Sequence, residues 1–307
     1  MIQLFTTFII YITIFLFGMT VMKIGFKNVA EHRLKHILRI MTDRPLKGII
    51  VGAAATALLQ SSSVVTVIII SMTAAGLLSF RQTVGIILGA NIGTTITGFI
   101  ATFNPGQLTF ILLALGILLL FLPFQKTFVF GTVSFGIGCV FISMDGFNAL
   151  AEPLKSIGII DTILHTANHS NVSSLIFGII FAGIIQSSSA TLLIAMGFLN
   201  NDTLQLVAAI CIMLGANIGT STTALIASIH STVSARWVAY THALFNLFGS
   251  LLILPFLNAF THLIQSIASA PDRQLAYASF LFNLLSTIVA LPFVNKYAHW
   301  AEKRIQR

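Results

Sequence analysis

The sequence contains few charged residues for its length. Only 8% of its 307 residues are Asp, Glu, Lys or Arg, whereas 56% are hydrophobic. Soluble domains carry about 25% charged residues. A soluble protein of this size cannot bury so much apolar surface, so lipid must be the solvent for much of the chain. The composition therefore excludes an ordinary soluble globular protein.

Cysteine and acidic residues are also scarce. The two cysteines, Cys139 and Cys211, lie within apolar segments, which predicts small buried side chains and no disulfide or metal framework. There are 8 acidic residues against 16 basic ones, and the net charge is +8. The basic residues fall between apolar runs, and no stretch interleaves aromatic with basic residues. We therefore expect a membrane topology signal and no nucleic-acid partner.

The sequence has long uncharged stretches instead. A helical membrane span needs roughly 20 apolar residues. The following ranges contain no Asp, Glu, Lys or Arg: Leu4–Met22, Gly48–Phe80, Gln82–Gln125, Thr127–Met144, Thr162–Asn201, Thr203–Ala235, Trp237–Pro271 and Gln274–Asn295. They predict an all-α polytopic protein that crosses a cell membrane several times, with the lipid bilayer as a partner.

Two polar motifs occur twice. Leu58–Ser63 (LLQSSS) recurs as Ile184–Ser189 (IIQSSS), and Gly89–Thr94 (GANIGT) recurs unchanged as Gly215–Thr220. Both pairs are offset by 126 residues. Two matched motifs at one offset indicate an internal duplication, whereas a lone run of serines would carry little information.

Each copy is expected to contain the same series of elements. In the first copy these are a span, an amphipathic interfacial helix, a hairpin of two half-helices with Gln60–Ser63 at its tip near the bilayer midplane, a span broken at Gly89–Gly93, and a plain span. Their predicted ranges are Leu4–Gly25, Lys27–Arg44, Gly48–Phe80, Thr83–Thr102 and Leu108–Phe124. The second copy repeats the series from Thr127 to about Phe256, with its amphipathic stretch near Asn148–His169. A last span covers about Leu275–Val294.

A hairpin returns to its own side, so each copy crosses the membrane three times and the second copy is inverted. We divide the chain into a first inverted repeat (1–125), a second (126–258), and a final span with a basic cytoplasmic tail (259–307). This topology gathers 14 of the 16 basic residues on one side: Lys23, Lys27, Arg33, Lys35, Arg39, Arg44, Lys47, Arg81, Lys126, Arg236, Lys296, Lys303, Arg304 and Arg307. The positive-inside rule makes that side cytoplasmic, with the N-terminus outside.

The duplicated motifs supply only neutral hydrogen-bonding side chains. In lipid, each such group is unfavourable by several kcal/mol unless it finds a partner. A half-helix that begins at each hairpin tip offers free backbone N–H groups and a positive dipole end, which suit an oxyanion. Carbonyl, amide and hydroxyl oxygens suit a hard monovalent cation. Close helix packing through small residues is the alternative explanation, but it does not require two matching motifs at equal spacing.

Two further residues are functional candidates. Asp145 is the acid that we place within a span, where carboxylates are functional candidates unless they reach the interface. His242 lies in an apolar run before Phe245 and Asn246, where a hydrogen-bonded structural histidine is the favoured interpretation.

The paired QSSS and GANIGT motifs, together with His242–Asn246 (HALFN), resemble the type II sodium–phosphate cotransporters and their bacterial relatives. The resemblance runs from roughly Phe15 to Phe293, and it implies the bacterial plasma membrane as the location. It implies a non-enzymatic transporter that imports inorganic phosphate by sodium symport, through alternating access at a site between the two repeats. It also implies a short form without a C-terminal phosphate-regulatory-like domain. No cofactor is expected apart from Na⁺ as the coupling ion, and a homo-oligomer remains open.

By motif position, the resemblance implies phosphate contacts at the serines of both tips, and we add the two motif asparagines. The predicted phosphate-binding residues are Ser61, Ser62, Ser63, Ser187, Ser188, Ser189, Asn91 and Asn217. The resemblance implies a sodium site at Gln186, Ser187, Thr220 and Thr223, and the duplication adds Gln60, Ser61, Thr94 and Thr97 as their symmetry mates.

Three alternatives stay open at this point. Within transport, the substrate could be another small oxyanion or the coupling ion a proton. An intramembrane serine hydrolase would use one motif serine with His242, but duplicated serines do not serve a single activated nucleophile. A membrane scaffold without transport gives no reason for polar hairpin tips.

Overall fold

The computed structural model describes residues 1–103 and 106–305, and within residues 27–33 it describes the backbone alone. In these ranges the chain is all-α, which confirms the predicted fold class. The helices are α1 (Ile2–Ile40), α2 (Pro45–Leu59), α3 (Ser62–Ala74), α4 (Phe80–Ala101), α5 (Leu108–Leu120), α6 (Gln125–Lys155), α7 (Gly158–His169), α8 (Asn171–Ile185), α9 (Ser188–Asn200), α10 (Leu206–Ser228), α11 (Val233–Ile253), α12 (Leu257–Ile267), α13 (Pro271–Ala290) and α14 (Val294–Ile305). Short 3₁₀ turns at Leu254–Phe256 and Leu291–Phe293 join α11 to α12 and α13 to α14.

Six helical segments of the described chain are long and apolar enough to cross a bilayer. They are Ile2–Phe26, Phe80–Ala101, Gln125–Lys155, Leu206–Ser228, Val233–Ile267 and Pro271–Ile305. The protein is therefore a multi-pass membrane protein, as the uncharged stretches predict. The predicted last span, Leu275–Val294, falls inside the sixth segment.

The two QSSS segments join pairs of short helices. α2 and α8 have 15 residues each, and α3 and α9 have 13 residues each. Each α8 or α9 boundary lies 126 residues after the corresponding α2 or α3 boundary. Each predicted hairpin is thus two half-helices that meet at a glutamine–serine tip.

The predicted break at the GANIGT motifs is wrong. α4 continues through Gly89 and Gly93, and α10 continues through Gly215 and Gly219, without interruption. The glycines lie four residues apart, so they share one helix face. A Cβ atom at Gly89 would overlap the carbonyl oxygen of Ile49, and one at Gly215 would overlap that of Leu175. Glycine therefore serves the close approach of α2 to α4 and of α8 to α10, and it does not open either helix.

The separate interfacial helix predicted for the first copy is also wrong, whereas the second copy has a separate helix, α7, within its predicted amphipathic stretch. α1 continues from its span through residue 27 to Ile40. This stretch contains no proline and no glycine that would end the helix. Leu34 and Leu38 are buried as expected for an apolar face, whereas Ile37 and Met41 are exposed. The side chains of Lys27 and Arg33, and the whole of Arg307, lie outside the described residues.

The predicted plain span is shorter than expected. α5 has 13 residues, which corresponds to about 20 Å, against a hydrocarbon core about 30 Å thick. The helix ends at Leu120 because the next residues form a turn that contains Pro123 and leads directly into α6. As a straight helix, α5 is therefore too short to cross the hydrocarbon core.

The helices that open the two copies, α1 and α6, pack against each other in opposite directions. Gly25 of α1 lies against Thr132 of α6. Near the other end of the pair, Oγ of Ser143 donates to the backbone carbonyl of Tyr11 at 3.1 Å. Opposite directions are what an inverted pair of repeats requires. The inversion and the boundaries at 125 and 258 stay predictions.

Candidate functional site

Each hairpin tip is a glutamine in the left-handed region of backbone space. Gln60 has φ 51° and ψ 31°, and Gln186 has φ 58° and ψ 30°. A residue with a Cβ atom in this region is unfavourable by roughly 1–2 kcal/mol. The side chain offsets part of this cost, because Nε2 of Gln60 donates to the carbonyl of Ala57 and Nε2 of Gln186 donates to that of Gly183, each at 2.5 Å. The glutamines thereby end α2 and α8 and turn the chain back.

The first serine of each motif starts the next helix. Oγ of Ser61 accepts from the backbone N–H of Val64 at 3.3 Å, and Oγ of Ser187 accepts from that of Ala190 at 3.1 Å. Serine is a preferred N-cap because its hydroxyl satisfies one of the free N–H groups of the first turn. The tips therefore present the positive dipole ends of α3 and α9.

The other motif serines keep their hydroxyls free. In the described part of the chain, no hydrogen bond involves the side chains of Ser62, Ser63, Ser188 or Ser189. Ser189 is only 8% exposed, so its hydroxyl is withdrawn from bulk solvent without a protein partner. Free hydroxyls at two helix N-termini are suitable donors to an oxyanion.

Both tips line one cavity of about 70 Å³. A buried water needs about 10–15 Å³ on this measure, so the cavity has room for a small polyatomic ion. The lining consists of the six serines, both glutamines, one residue of α4 and one face of α1: Ser61, Ser62, Ser63, Ser187, Ser188, Ser189, Gln60, Gln186, Thr94, Leu16, Met19, Thr20 and Lys23. The duplicated motifs thus come together as the sequence predicts.

A second, water-sized cavity of about 10 Å³ shares residues with the first. Thr94, Ser188 and Ser189 line both. The second cavity adds Asn217, Ser279 and Asn283 as polar lining residues. Asn217, predicted as a phosphate contact, therefore lies next to the serine cavity. Ser279 and Asn283 of α13 lie outside the duplicated motifs, so the duplication could not reveal them.

The larger cavities of the protein differ in character. Three of them measure about 260, 280 and 510 Å³, and almost all their lining side chains are apolar. They lack the polar groups that would replace the hydration shell of an ion. The small polar cavity, although not the largest, is therefore the candidate site.

The residues predicted to bind sodium form glutamine–threonine pairs. Oγ1 of Thr97 donates to Oε1 of Gln60 at 2.7 Å, and Oγ1 of Thr223 contacts Oε1 of Gln186. The other two threonines, Thr94 and Thr220, donate to carbonyls of their own helices, each at 3.0 Å. Their hydroxyl oxygens still have lone pairs for a cation. Whether sodium binds at these eight residues stays a prediction.

Asn91 is the predicted phosphate contact that lines neither the serine cavity nor the smaller cavity beside it. Its Nδ2 donates to Oδ1 of Asn246 at 2.6 Å, and its Oδ1 lies 3.3 Å from Nε2 of His242. Asn246 in turn donates to the carbonyl of Asn217 at 2.8 Å and to Oγ of Ser221 at 2.9 Å. Asn91 thus belongs to a buried network that joins α4, α11 and α10. The same contacts give His242 the hydrogen-bonded setting that its sequence context predicts.

Two charged residues, Lys23 and Asp145, differ in their position relative to the serine cavity. The charge count groups Lys23 with the cytoplasmic side, but the structure places it inside the span Ile2–Phe26, where it lines the serine cavity. The sequence signal for a position within the span was that Lys23 falls inside the predicted range Leu4–Gly25. Asp145 is exposed on α6 and forms no hydrogen bond or ion pair with any described residue. It does not line this cavity.

Comparison with known proteins gives the family of the chain. The family model described as Na⁺/Pi-cotransporter matches residues 14–149 and 154–271. The chain belongs to the Na⁺/Pi-cotransporter family. It is 35% identical over 267 residues to the uncharacterized protein YqeW of Bacillus subtilis strain 168, a match that covers 87% of the chain and 86% of YqeW. No solved structure matches the chain.

Two further relatives have names that refer to phosphate transport. The chain is 26% identical over 249 residues to YjbB of Escherichia coli K12, a protein provisionally named for inorganic phosphate export. This match covers 80% of the chain but only 46% of YjbB. A segment of 58 residues, 19% of the chain and 8% of the relative, is 50% identical to the human sodium-dependent phosphate transport protein 2B. The bacterial relatives indicate a bacterial plasma membrane as the location.

Proposed function

We propose that the protein is a secondary active transporter that carries inorganic phosphate into the cell together with sodium. The observation that carries this proposal is the meeting of both QSSS tips at one small polar cavity. Membership of the Na⁺/Pi-cotransporter family supports phosphate as the substrate. Symport by alternating access would expose this cavity to one side of the membrane and then to the other.

Phosphate suits the chemistry of the tips. Its oxygens accept hydrogen bonds, and Ser62, Ser63, Ser188 and Ser189 offer hydroxyls that form no hydrogen bond with any described residue. Ser61 and Ser187 hold the first turns of α3 and α9 in place beneath them. The two helix N-termini add favourable dipoles for a negative charge.

Sodium coupling follows from the electrical cost of importing an anion. A membrane potential of about 100 mV, inside negative, opposes entry of a phosphate dianion by about 4.6 kcal/mol, twice the value of about 2.3 kcal/mol per charge. Two sodium ions cancel this charge, and a third adds driving force. Gln186, Thr220 and Thr223 supply neutral oxygens of the kind that Na⁺ accepts. The proposal assigns them, with Ser187 and the mates Gln60, Ser61, Thr94 and Thr97, to the coupling ion.

Phosphate export is the second candidate function, because YjbB carries an export name. The same electrical argument separates the two directions. An uncoupled carrier would let the dianion leave an inside-negative cell, whereas a carrier obligatorily coupled to sodium would import it. The direction therefore depends on whether sodium is required.

Flux in proteoliposomes tests the proposal. The purified protein is reconstituted, and entry of labelled phosphate is measured with an inward sodium gradient, with equal sodium on both sides, and with choline replacing sodium. The proposal predicts accumulation above equilibrium only with the gradient. Equal movement in choline would favour the export candidate, and uptake that needs a proton gradient instead would favour proton coupling. Competition by arsenate and sulfate tests which oxyanions the site accepts.

A serine hydrolase finds little support in the geometry. The imidazole of His242 is hydrogen-bonded to Asn91, and no motif serine forms a hydrogen bond with a histidine in the described part of the chain. A nucleophilic serine needs a base within hydrogen-bond reach.

A further inference from the structure

We propose that Lys23 supplies the positive charge that holds the oxyanion in the two-tip cavity, and that it makes the site selective for anions. Among the described residues that line the cavity, Lys23 carries the only formal charge. The remaining polar lining consists of hydroxyls and amides. The inference rests on the proposed function and extends it by naming the ionic group that recognises the substrate.

One face of α1 places Lys23 at the tips. The α1 residues that line the cavity are Leu16, Met19, Thr20 and Lys23. Pairs of them lie three or four residues apart, as residues on a single helix face do. The hydroxyl of Thr20 is occupied, because it donates to the carbonyl of Leu16 at 2.7 Å. Lys23 is therefore the group on this face that is available to a ligand.

Lys23 has no acidic partner among the residues that the structure describes. It forms no ion pair and no hydrogen bond with any described residue, and the ion pairs of the described chain involve Asp43 with Arg44 and Lys47. Asp145 lies far along the α1–α6 pair, since its neighbour Gly146 packs against Tyr11. Tyr11 is 12 residues from Lys23, about 18 Å along the helix. Among the described residues, no acidic side chain compensates the cation at this cavity.

An uncompensated ammonium in a membrane segment is unfavourable, so a partner is expected. The surroundings of Lys23 point to an anion. The unpartnered hydroxyls of Ser62, Ser63 and Ser188 line the same cavity, and so does Ser189, a residue that is only 8% exposed. A serine hydroxyl offers an anionic oxygen one charge-assisted hydrogen bond, whereas an ammonium adds the Coulombic attraction between two opposite full charges. Lys23 would therefore contribute more to anion affinity than any single serine.

The duplication gives Lys23 no counterpart. The residue 126 positions further on is Ala149, and α6 contributes no residue to the cavity lining. The otherwise paired site is therefore asymmetric in charge. Because Lys23 stays with the protein, it should affect how tightly phosphate binds and leave the number of sodium ions per phosphate unchanged.

Direct binding tests this inference. Phosphate binding to the purified protein at saturating sodium is compared for wild type, Lys23→Met, Lys23→Arg and the control Lys126→Met, an exposed lysine at the start of α6. We expect Lys23→Met to weaken binding by about tenfold or more, which corresponds to about 1.4 kcal/mol. Lys23→Arg should keep most of the affinity, and Lys126→Met should match wild type. Wild-type affinity in Lys23→Met would overturn the inference, whereas absent binding by wild type would instead contradict the proposed function.

A chemical rescue separates charge from packing, and it applies even if Lys23→Met folds poorly. In Lys23→Cys, reaction with aminoethyl methanethiosulfonate restores a positive group, and reaction with the sulfonatoethyl reagent adds a negative one. The native cysteines are buried, and wild type treated in parallel is the control. We expect the cationic reagent alone to restore phosphate binding, and phosphate to slow the reaction. Equal effects of the two reagents would overturn the inference.

Discussion

Oγ1 of Thr97 donates a hydrogen bond to Oε1 of Gln60 across 2.7 Å, and 126 residues later Thr223 makes the matching contact with Gln186. Each pair ties a hairpin tip to the helix that carries the GANIGT motif. A ligand that draws on the oxygens of either pair would therefore act on both elements. This relationship links the proposed sodium residues to the serines that line the cavity.

Removal of one hydroxyl tests the first of these pairs. Thr97→Ala leaves the buried Oε1 of Gln60 without a donor, so we expect a loss of about 1–3 kcal/mol of stability and a higher sodium concentration for half-maximal uptake. Thr97→Ser keeps the hydroxyl and should restore both properties. Thermal unfolding in detergent and sodium titration of uptake provide the measurements. Unchanged sodium dependence in a destabilised Thr97→Ala protein would limit this pair to a structural role.

A second substitution addresses the coupling ion in the other copy. Thr220→Ala removes a proposed sodium ligand, so the sodium concentration for half-maximal uptake should rise more than phosphate affinity changes at saturating sodium. Thr261→Ala of α12 is the matched control, because Thr261 is also buried and also donates to a carbonyl of its own helix. If both variants shift sodium dependence equally, or neither does, Thr220 is not a specific sodium ligand.

The close packing at the glycine faces predicts that an added side chain destabilises the protein. A side chain at Gly215 would overlap the carbonyl oxygen of Leu175, so Gly215→Val should force α8 and α10 apart and destabilise the protein by about 1–3 kcal/mol or more. Gly158→Val is the control, since a Cβ atom there meets nothing within 4 Å. Unfolding temperatures of the two variants provide the comparison, and equal values would contradict the role assigned to the glycine face.

The sequence predicted the parts of the site that the duplication repeats. Uncharged run length indicated membrane helices, and the equal offset of the QSSS motifs indicated two tips that share a site. The breaks at Gly89 and Gly215 were mispredicted, because helix propensity alone does not show that another backbone lies against these glycines. Only the three-dimensional contact with Ile49 or Leu175 explains why glycine is needed there.

Residues outside the repeat were harder to predict. Lys23 sits near the end of an apolar run, so a charge count assigns it to the membrane boundary, and only the packing of α1 against the tips brings it to the cavity. The opposite holds for Asn91. Its motif predicted a contact with phosphate, but its amide donates a hydrogen bond to Asn246. Which polar groups are already satisfied depends on tertiary contacts that a single sequence does not display.

The amide of Asn246 offers a test of coupling between the two copies. It contacts Asn91 of α4 and the carbonyl of Asn217 of α10. Asn246→Leu leaves these buried groups without partners, which should reduce stability by about 1–3 kcal/mol per unsatisfied group and lower the transport rate. Asn246→Gln retains an amide and should lose less. A Leu variant that unfolds and transports like wild type would contradict a bridging role.

Orientation is testable by labelling. An exposed cysteine introduced at Arg39 should react with an impermeant thiol reagent only from the cytoplasm, because that side gathers the basic residues. A cysteine at Gln205, an exposed neighbour of Asp202, should react only from outside. The buried native cysteines provide a low background. The reverse pattern would invert the predicted orientation, and labelling of both from one side would contradict the inverted topology.

Equilibrium binding of phosphate as a function of sodium tests the central claim most directly. If phosphate at the serine tips and sodium at the glutamine–threonine pairs share one coupled site, each must tighten the binding of the other by the same factor. We predict that phosphate binds the purified protein more tightly as sodium replaces choline at constant ionic strength, and that phosphate tightens sodium binding reciprocally. A phosphate affinity that is identical in sodium and in choline would contradict sodium-coupled transport through this site.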